Sequence, residues 1–343
     1  MPIDPDVQPY LDDINQTLAD HGGRIQALEQ SGSLVGFEVA PPAFPADASP
    51  AVQAALDLVD ANRGGLVRVR QGRYRLATGL VSARQGLVLE GEGMPGVSDT
   101  YARGSTQFVV GPGQVGITLG TAGTHQTRGY GLRNLHFISE DGSGGGVRLL
   151  NCESSIVEDA GASNFTSGFG VQVDGGGQAG SNGQYTELRN LRVGRCAVGL
   201  HLAGNAPNGT RLLGGYLCGQ EASSPRAGTA VFVERGDTLR LFGTVIQGWA
   251  VGVDLALNGG HELHGPRFEF CDTALKVRAG CRGVSLVGGS FVNSGTAVEV
   301  EAGAQAVYLR PSLIEAVTTT VANGAPAQTM IVYPGHAGWH PSQ

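Results

Sequence analysis

The sequence predicts an all-β protein whose fold is a right-handed parallel β-helix, with a capping helix and a short coiled-coil helix at its N-terminus. The 343 residues include 56 glycines without a collagen-like period, which indicates many turns. Short segments that alternate apolar and polar residues recur at intervals of 22 to 31 residues. Because one such repeat is too small to bury its own apolar face, successive repeats must stack around a common interior. The right hand follows from the rule for parallel crossovers.

Residues 1–30 precede the repeats and are predicted to form a coiled-coil helix. Their apolar residues follow a heptad spacing with one polar position, His21. Mixed leucine and isoleucine in such a seam favours three or more strands. The side chains predicted to hold a homotrimer together are Val7, Leu11, Ile14, Leu18, Ile25 and Leu28. The alternative is a single amphipathic helix that lies on another protein. Residues 31–46 contain glycine and proline and are predicted to be a linker.

A helix over residues 49–62 is predicted to cap a β-helix domain that spans residues 47–320. Ser49 can be its N-cap and Pro50 fits its first position, while Gly64 follows its end. The helix is expected to cover the strand edges that an open stack exposes. Its apolar face consists of Val52, Ala55, Leu56 and Val59. Residues 321–343 are assigned to a C-terminal cap or tail.

Three series of apolar residues predict two or three short strands in each repeat. The first series lies in strands at 147–150, 171–174, 200–203, 231–234, 253–256, 275–278 and 298–301. The second series is Leu188, Leu212, Leu241, Leu263, Leu286 and Leu309. The third series, five residues further on, is Val193, Leu217, Ile246, Phe268, Phe291 and Ile314. The turn between the second and third series is marked by Gly214, Gly243, Gly265 and Gly288, with Asn190 and Pro311 in the same position.

The composition argues against several classes of partner. A net charge of −7 without a basic cluster gives nucleic acid no electrostatic support. No apolar run approaches the roughly 18 residues of a membrane-spanning helix, so no membrane insertion is expected. The first residues lack the basic-then-apolar order of a signal peptide, so synthesis in the cytoplasm is expected. Five cysteines without CxxC spacing indicate reduced thiols, and neither a metal nor a cofactor is predicted.

Residues 47–76 also carry a family resemblance. They combine Asp47, an alanine- and glutamine-rich helix, the pair Gly64–Gly65, a strand, and the Gly-x-Tyr of residues 72–74. This order resembles the N-terminal signature of the pectate-lyase-like superfamily, of the phage tailspike and minor tail protein type. The stretch LVLEGEG at residues 87–93 fits the strand that follows that signature.

The resemblance implies a virion tail protein, made in the host cytoplasm and commonly homotrimeric. Such a protein would dock to other phage tail or baseplate proteins through its N-terminus and bind a host cell-surface polysaccharide. The resemblance implies little about catalysis, because this fold hosts lyases, hydrolases, epimerases and non-catalytic binding proteins.

One outward face is predicted to contact either a glycan or a second subunit. The candidates are Arg192, Tyr216 and Arg267 in one column and Gln247 and Glu269 two residues further along the strands. An aromatic ring beside guanidinium and amide groups could hold a sugar. Outward-facing apolar residues on the same face favour a subunit contact, and both interpretations are kept.

No catalytic residues are identified. The columns Asp254–Lys276–Glu299 and Glu187–Arg211–Arg240–Glu262 are predicted to be surface charge ladders, worth little energy per pair. His261 and His264 would point to opposite faces of a strand, so no shared metal is expected. Cys196 and Cys271 lie three rungs apart, too far to form a disulfide. Trp249 is expected to close a corner against the next rung, with a sugar-stacking platform as the alternative.

The sequence therefore predicts a trimeric, tail-associated structural and receptor-binding protein. The alternative is a polysaccharide depolymerase, a lyase or a glycoside hydrolase that acts on a host surface glycan. A secreted bacterial enzyme of the same fold is a third possibility, against which the missing signal peptide counts.

Overall fold

The predicted parallel β-helix is confirmed by the structure. A computed structural model describes residues 36–61, 64–93, 96, 104–123, 127–177, 183–205, 207–219, 226–323 and 330–332. Every strand pair in this part of the chain is parallel, for example Gly65–Val69 with Leu87–Glu90. Consecutive turns of the chain therefore lie on top of one another, about 4.8 Å apart.

The strands form three columns. The first column consists of β4 (Leu80–Ser82), β7 (Val115–Gly120), β11 (Gly145–Leu150), β15 (Phe169–Asp174), β18 (Val198–Ala203), β21 (Thr229–Val233), β24 (Val251–His264), β26 (Thr273–Val287), β28 (Thr296–Val300) and β31 (Thr319–Asn323). The second consists of β1 (Gly36–Val39), β2 (Gly65–Val69), β5 (Leu87–Glu90), β9 (Gly131–Arg133), β13 (Ile156–Glu158), β16 (Glu187–Arg189), β19 (Arg211–Leu213), β22 (Arg240–Phe242), β29 (Gln305–Arg310) and β32 (Met330–Val332). The third consists of β3 (Gly72–Leu76), β6 (Thr106–Val110), β10 (Leu135–Ser139), β14 (Gly161–Ser163), β17 (Arg192–Gly194), β20 (Tyr216–Cys218), β23 (Val245–Gln247), β25 (Arg267–Glu269), β27 (Ser290–Val292) and β30 (Leu313–Glu315).

The long strands β24 and β26 bend from the first column into the second, so these two columns form one 20-stranded sheet in the described residues. In the same described residues, the third column is a separate 10-stranded sheet. A small parallel pair, β8 (Thr127–Arg128) with β12 (Cys152–Glu153), lies beside them. The outward sides of the three columns are called the first, second and third face below.

The register of all three predicted series is confirmed. Val231 pairs with Val253, which pairs with Leu275, which pairs with Val298. The second and third series are stacked in the same way, for example Leu212 on Leu241 and Leu217 on Ile246. The members of these series are buried in a single hydrophobic cluster that runs from Val39 to Leu309, except Ile314, which is partly buried and packs against it. The aliphatic ladders thus form one continuous interior.

Aromatic side chains extend the same ladders at both ends of the third column. The rings of Phe268 and Phe291 stack inside with centroids 5.1 Å apart, and those of Tyr74, Phe108 and Phe137 follow one another at 5.6 and 5.3 Å. Offset or tilted ring pairs at this spacing add stability beyond the burial of their area. Tyr74 is the tyrosine of the Gly-x-Tyr motif, and its hydroxyl donates to the Arg70 carbonyl.

The helix α1 spans Ser49–Ala61 and covers the first turns, and its predicted apolar face is buried. Its predicted N-cap is wrong in one respect. The carboxylate of Asp47, not the hydroxyl of Ser49, accepts a hydrogen bond at the helix start, from the Ser49 N–H at 3.0 Å. The Ser49 hydroxyl instead accepts from the Thr78 N–H on a neighbouring turn. Gly64 follows the helix with φ +120° and donates to the Val59 carbonyl, as a helix-ending glycine does.

Two predicted boundaries differ from the structure. The segment assigned to a linker contains β1, which pairs with β2 and so belongs to the solenoid. The segment assigned to a C-terminal cap or tail contains the end of β31 and all of β32, which continue the first and second columns. The predicted coiled-coil helix lies outside the described residues. Among the described helical residues, none form a segment long and apolar enough to cross a bilayer.

Candidate functional site

The predicted glycan or subunit contact lies on the third face. Arg192, Tyr216 and Arg267 share one register column, with Val245 between the last two. The Tyr216 hydroxyl hydrogen-bonds the Gln247 side chain. The five predicted residues therefore share one face, and what this face binds stays a prediction.

Three features of the third face bear on that prediction. The guanidinium of Arg267 donates to Glu269 Oε1, with Nε at 2.8 Å, so these two charges satisfy one another. In the part of the chain that the structure describes, the buried Nε of Arg192 has no hydrogen-bond partner. Leu313, further along the same face, is 47% exposed. The face thus combines an internal ion pair with uncovered apolar area.

The first charge ladder has a different pairing from the one predicted. Asp254, Lys276 and Glu299 are in register, but the carboxylate of Asp254 binds Arg278, with two contacts of 2.8 and 2.6 Å. Lys276 Nζ lies 2.8 Å from Glu299 and 3.3 Å from Glu301. Asp254 is 3% exposed, so its two-point contact with Arg278 is the most shielded of these pairs.

A polar cluster that the sequence analysis did not single out lies at the centre of the first face. His201 Nδ1 lies 3.1 Å from the Gln172 amide nitrogen, and its Nε2 lies 3.2 Å from Glu234 Oε2. Since the amide nitrogen can only donate, Nδ1 accepts and Nε2 carries the hydrogen that goes to Glu234. The ring stacks on Phe232 with centroids 5.3 Å apart. We call Gln172, His201, Phe232 and Glu234 the His201 cluster.

Burial lowers the pKa of His201 from its ordinary value of 6.5, and the neighbouring charge of Glu234 only partly opposes this. The imidazole is therefore favoured in its neutral form, in which one nitrogen donates and the other accepts. Arg278 lies over the other side of the Phe232 ring, with its guanidinium carbon 5.6 Å from the centroid. A partly exposed ring is thus held between two polar groups.

Asp174 borders the His201 cluster. It is 7% exposed, and its carboxylate accepts from the Gly176 N–H at 2.8 Å and from Arg148 Nε at 3.1 Å. Asp174 pairs in register with Ala203 on the next turn. Glu234 occupies the corresponding position one turn further. The backbones that carry Asp174 and Glu234 are therefore two rungs, about 10 Å, apart. The small side chain of Ala203 leaves space between the two carboxylates.

The second charge ladder is confirmed as a register column: Glu187, Arg211, Arg240 and Glu262 follow one another. Glu187 makes its short contact with Arg189, at 2.6 Å, and lies 3.6 Å from Arg211. Arg240 lies 3.4 Å from Glu262. This ladder is therefore less tightly paired than the first one.

The remaining candidates are structural. His261 is fully buried, whereas His264 faces outward, and no group of metal-binding side chains occurs within the described ranges. The five cysteines are free, and burial raises the pKa of Cys196 and of Cys271 to about 12, which leaves these thiols unreactive. Trp249 is buried at a corner and its Nε1 donates to the Leu217 carbonyl at 3.0 Å, so the corner interpretation is confirmed.

No family model and no curated protein sequence matches the chain. Solved structures do. DFA-IIIase from Arthrobacter chlorophenolicus A6, without its lid and in complex with GF2, superposes with a TM-score of 0.60 and 10% identity over 88% of this chain and 99% of that chain. The ORF18 protein of Geobacillus virus E2 superposes with a TM-score of 0.51 and 11% identity over 88% of this chain and 64% of that chain. Identities this low show a shared β-helix fold and nothing about function.

The His201 cluster could not be singled out from sequence because the hydrogen bonds of His201 join it to residues 29 and 33 positions away. The second positions of the predicted first-column strands do include Gln172, His201 and Phe232. That column was therefore visible as a signal. What the sequence could not show was that Glu234, two residues after Phe232 on the next turn, reaches His201.

Proposed function

We propose that the protein is a homotrimeric, tail-associated phage protein whose β-helix binds a host cell-surface polysaccharide. In this proposal residues 1–30 hold three chains together and dock to other tail or baseplate proteins. The β-helix, whose turns share one continuous core, serves as a rigid rod that presents its faces to the glycan. The virion tail is the proposed location of the assembled protein.

The observation that carries the glycan-binding part is the His201 cluster. Saccharide sites combine an apolar or aromatic surface with a few well-oriented hydrogen-bonding groups. Phe232 supplies the ring, and Gln172, His201 and Glu234 supply donors and acceptors held by one another. Side chains fixed by mutual hydrogen bonds lose little further freedom when a ligand binds.

A glycan array of bacterial surface polysaccharides tests this part. The wild-type chain is expected to bind at least one glycan, and Phe232→Ala is expected to reduce that binding at least tenfold. The matched control is Phe44→Ala, because the Phe44 ring likewise has an arginine over it, Arg73, and is 46% exposed, but lies near the capping helix. Absence of binding to every glycan, or equal loss in both variants, would contradict the proposal.

Sedimentation equilibrium tests the trimer. The full chain is expected to have three times the monomer mass, and a chain that starts at residue 36 is expected to be monomeric yet folded, because β1 begins the described solenoid at Gly36. Circular dichroism of both proteins checks the fold. A monomeric full chain would overturn the trimer, and a trimeric truncated chain would place the subunit contact on the β-helix instead.

A polysaccharide hydrolase is the second candidate, favoured by the arrangement of Asp174 and Glu234. Inverting glycosidases hold their two carboxyl groups about 6.5–9.5 Å apart, which two side chains mounted two rungs apart can match. In such a reaction a carboxylate takes a proton from the attacking water while the other carboxyl protonates the leaving oxygen. The glycosidic carbon–oxygen bond breaks as the new bond to water forms.

Release of reducing ends from any glycan that the array identifies separates the two candidates. Hydrolysis requires that Asp174→Asn and Glu234→Gln each abolish product release while the glycan still binds. Asp272→Asn, at a partly exposed carboxylate paired with Arg226, is the control. A glycan that binds without product release supports the binding protein and excludes the hydrolase for that glycan.

A further inference from the structure

Two arginines lie side by side on the second face. Arg211 in β19 and Arg240 in β22 are direct register partners, so their backbones are about 4.8 Å apart. Like charges that face one another across neighbouring strands destabilise the pair. The side chains are 19% and 31% exposed, which means that solvent screens them only partly.

The carboxylates of the same column do not fully compensate this pair. Glu187 is held mainly by Arg189, at 3.0 and 2.6 Å, and its other oxygen is 3.6 Å from Arg211. Among the described residues, the buried Nε of Arg240 makes no hydrogen bond, and it lies 3.4 Å from Glu262 Oε2. The column itself holds two arginines and two glutamates, and Arg189 beside it also lies 3.6 Å from Glu158. The charges therefore balance in number, but among the described residues Arg211 and Arg240 have no charged contact shorter than 3.4 Å. An anion between Arg211 and Arg240 would supply the missing acceptors.

An exposed aromatic ring lies beside the arginine pair. Tyr185 is 60% exposed, although its backbone has φ +54°, a conformation that bulky residues rarely adopt. Its ring lies over Gly209, where an added Cβ would come within 3.1 Å of the ring. Gly209 is two residues before Arg211, at the corner that precedes β19, so Tyr185 lies at the corner next to the arginine pair.

Apolar side chains border the pair on the other side. Leu213 and Phe242 follow Arg211 and Arg240 by two residues and face outward, in direct register with one another. The Phe242 ring is stacked on His264 with centroids 4.9 Å apart. The second face therefore presents two guanidinium groups between an exposed tyrosine and an apolar strip.

We propose that Tyr185, Arg211 and Arg240 form a binding site for a saccharide that carries a carboxylate or a phosphate group. The planar guanidinium forks match the oxygens of either anion, and Tyr185 offers its face to the sugar ring. This site is distinct from the His201 cluster, which lies on the first face. It deepens the proposed function, on which the expectation of a saccharide rests.

Saturation-transfer difference NMR on the full chain tests the site with three probes that differ at one carbon: glucose, glucuronate and glucose 6-phosphate. At low salt, glucuronate or glucose 6-phosphate is expected to bind at least tenfold more tightly than glucose. Arg211→Gln/Arg240→Gln is expected to remove this preference. The control Arg84→Gln/Arg282→Gln removes the same amount of charge at two exposed positions. This control is expected to retain the preference for the anionic sugars.

Tyr185→Asn provides a second variant that should fold at least as well, because asparagine tolerates a positive φ. It is expected to lose the saturation transferred to the sugar protons while the preference for the anion remains. Equal affinity for all three probes, or equal loss in both arginine variants, overturns the site. If the NMR experiment overturns the arginine site while Phe232-dependent glycan binding is observed on the array, the proposed function stands. If no saccharide binds in either experiment, both the arginine site and the proposed function are overturned.

Discussion

At the scale of single residues, the corners of the solenoid require backbone conformations that few side chains tolerate. Positive φ recurs at three corner positions of the turns. The first position lies three residues before a second-column leucine. The second lies two residues after the inward residue of the second column, and the third lies two residues after the inward residue of the third column. Glycine or asparagine occupies many of them, for example Gly243 with φ +59° and Asn293 with φ +51°. Thr238 is an exception, because a β-branched residue there, with φ +65°, is strained.

Replacement of Thr238 is therefore expected to stabilise the protein. Thr238→Asn should raise the free energy of unfolding by about 1 kcal/mol, since left-handed backbone costs roughly that much in residues other than glycine and asparagine. Urea denaturation measures the change. Thr296→Asn, in the ordinary strand β28, serves as the control and should give no gain. A destabilised Thr238→Asn variant would show that the corner tolerates threonine for another reason.

His261 is a titratable group inside the solenoid. It is fully buried, and its Nδ1 accepts a hydrogen bond from the Leu239 N–H at 3.2 Å. Burial lowers its pKa to about 4 from 6.5, because a charged imidazole would lose its hydration there. The folded protein thus holds His261 neutral at pH values where the unfolded chain already binds a proton.

This difference makes stability depend on pH in a defined window. The unfolded chain takes up the proton near pH 6.5 and the folded protein only near pH 4, so the free energy of unfolding should fall as pH decreases between these values. The expected loss is up to about 3 kcal/mol, at about 1.4 kcal/mol for each unit of pKa. Urea denaturation from pH 7 to pH 4.5 should show a steeper decline for the wild type than for His261→Asn. Parallel curves would contradict the prediction.

At the scale of elements, the capping helix is attached to the solenoid by a few polar contacts. Asp47 accepts from the Ser49 N–H and hydroxyl and also from the Ala77 N–H at 3.0 Å, on the turn below. Gln53 reaches the Val81 backbone with both its amide nitrogen and its oxygen, at 2.8 and 2.9 Å. These contacts, together with the buried apolar face of α1, cover the end of the stack.

Asp47→Ala is expected to lower the free energy of unfolding by about 1–2 kcal/mol, the usual effect of removing a helix cap. Asp141→Ala is a close control, because Asp141 makes the same local contacts with the N–H and hydroxyl of Ser143, two residues on, but none with another turn. The control should change stability by less than about 0.5 kcal/mol. Equal effects of the two substitutions would show that the contact with Ala77 is unimportant.

At the scale of the whole molecule, every turn depends on its neighbours. One hydrophobic cluster joins residues from Val39 to Leu309, and the backbone hydrogen bonds of the strands run from one turn to the next. Stability in such an array is close to a sum over turns and the contacts between adjacent turns. A defect in a central turn therefore removes contacts on both sides.

Leu241→Ala, at a fully buried position in the middle of the second column, should cost about 2–5 kcal/mol and shift the whole unfolding transition. Leu309→Ala removes the same side chain near the last described turns, at 3% exposure. Hydrogen exchange should then show lost protection confined to the strands around Leu309. Global loss of protection in the Leu309 variant would argue against a stack of separable turns.

The fold could be predicted because its signal is repeated. A single strand such as 253–256 is ambiguous, but the same alternation in Val231, Val253, Leu275 and Val298 indicates one ladder. The corner glycines after the second series carry the same information, and Gly214 to Gly288 were found from spacing alone. The boundaries were harder, since β1 and β32 lack neighbours on one side that would reveal their register.

The candidate sites could be predicted only in part. The column of Arg211 and Arg240 follows from register, so the sequence placed these two side chains together. Register does not predict the contact of Asp254 with Arg278 or the contact of His201 with Glu234. Long side chains reach neighbouring positions and rungs, and their rotamers depend on which other side chains occupy the face.

The sequence by itself determined the architecture, since apolar side chains at period two, repeated in register, can be buried only by stacking. Only the tertiary structure decided which polar groups meet on the outer faces. There, burial does not constrain side chains, and each one selects its partner among several within reach by distance and charge.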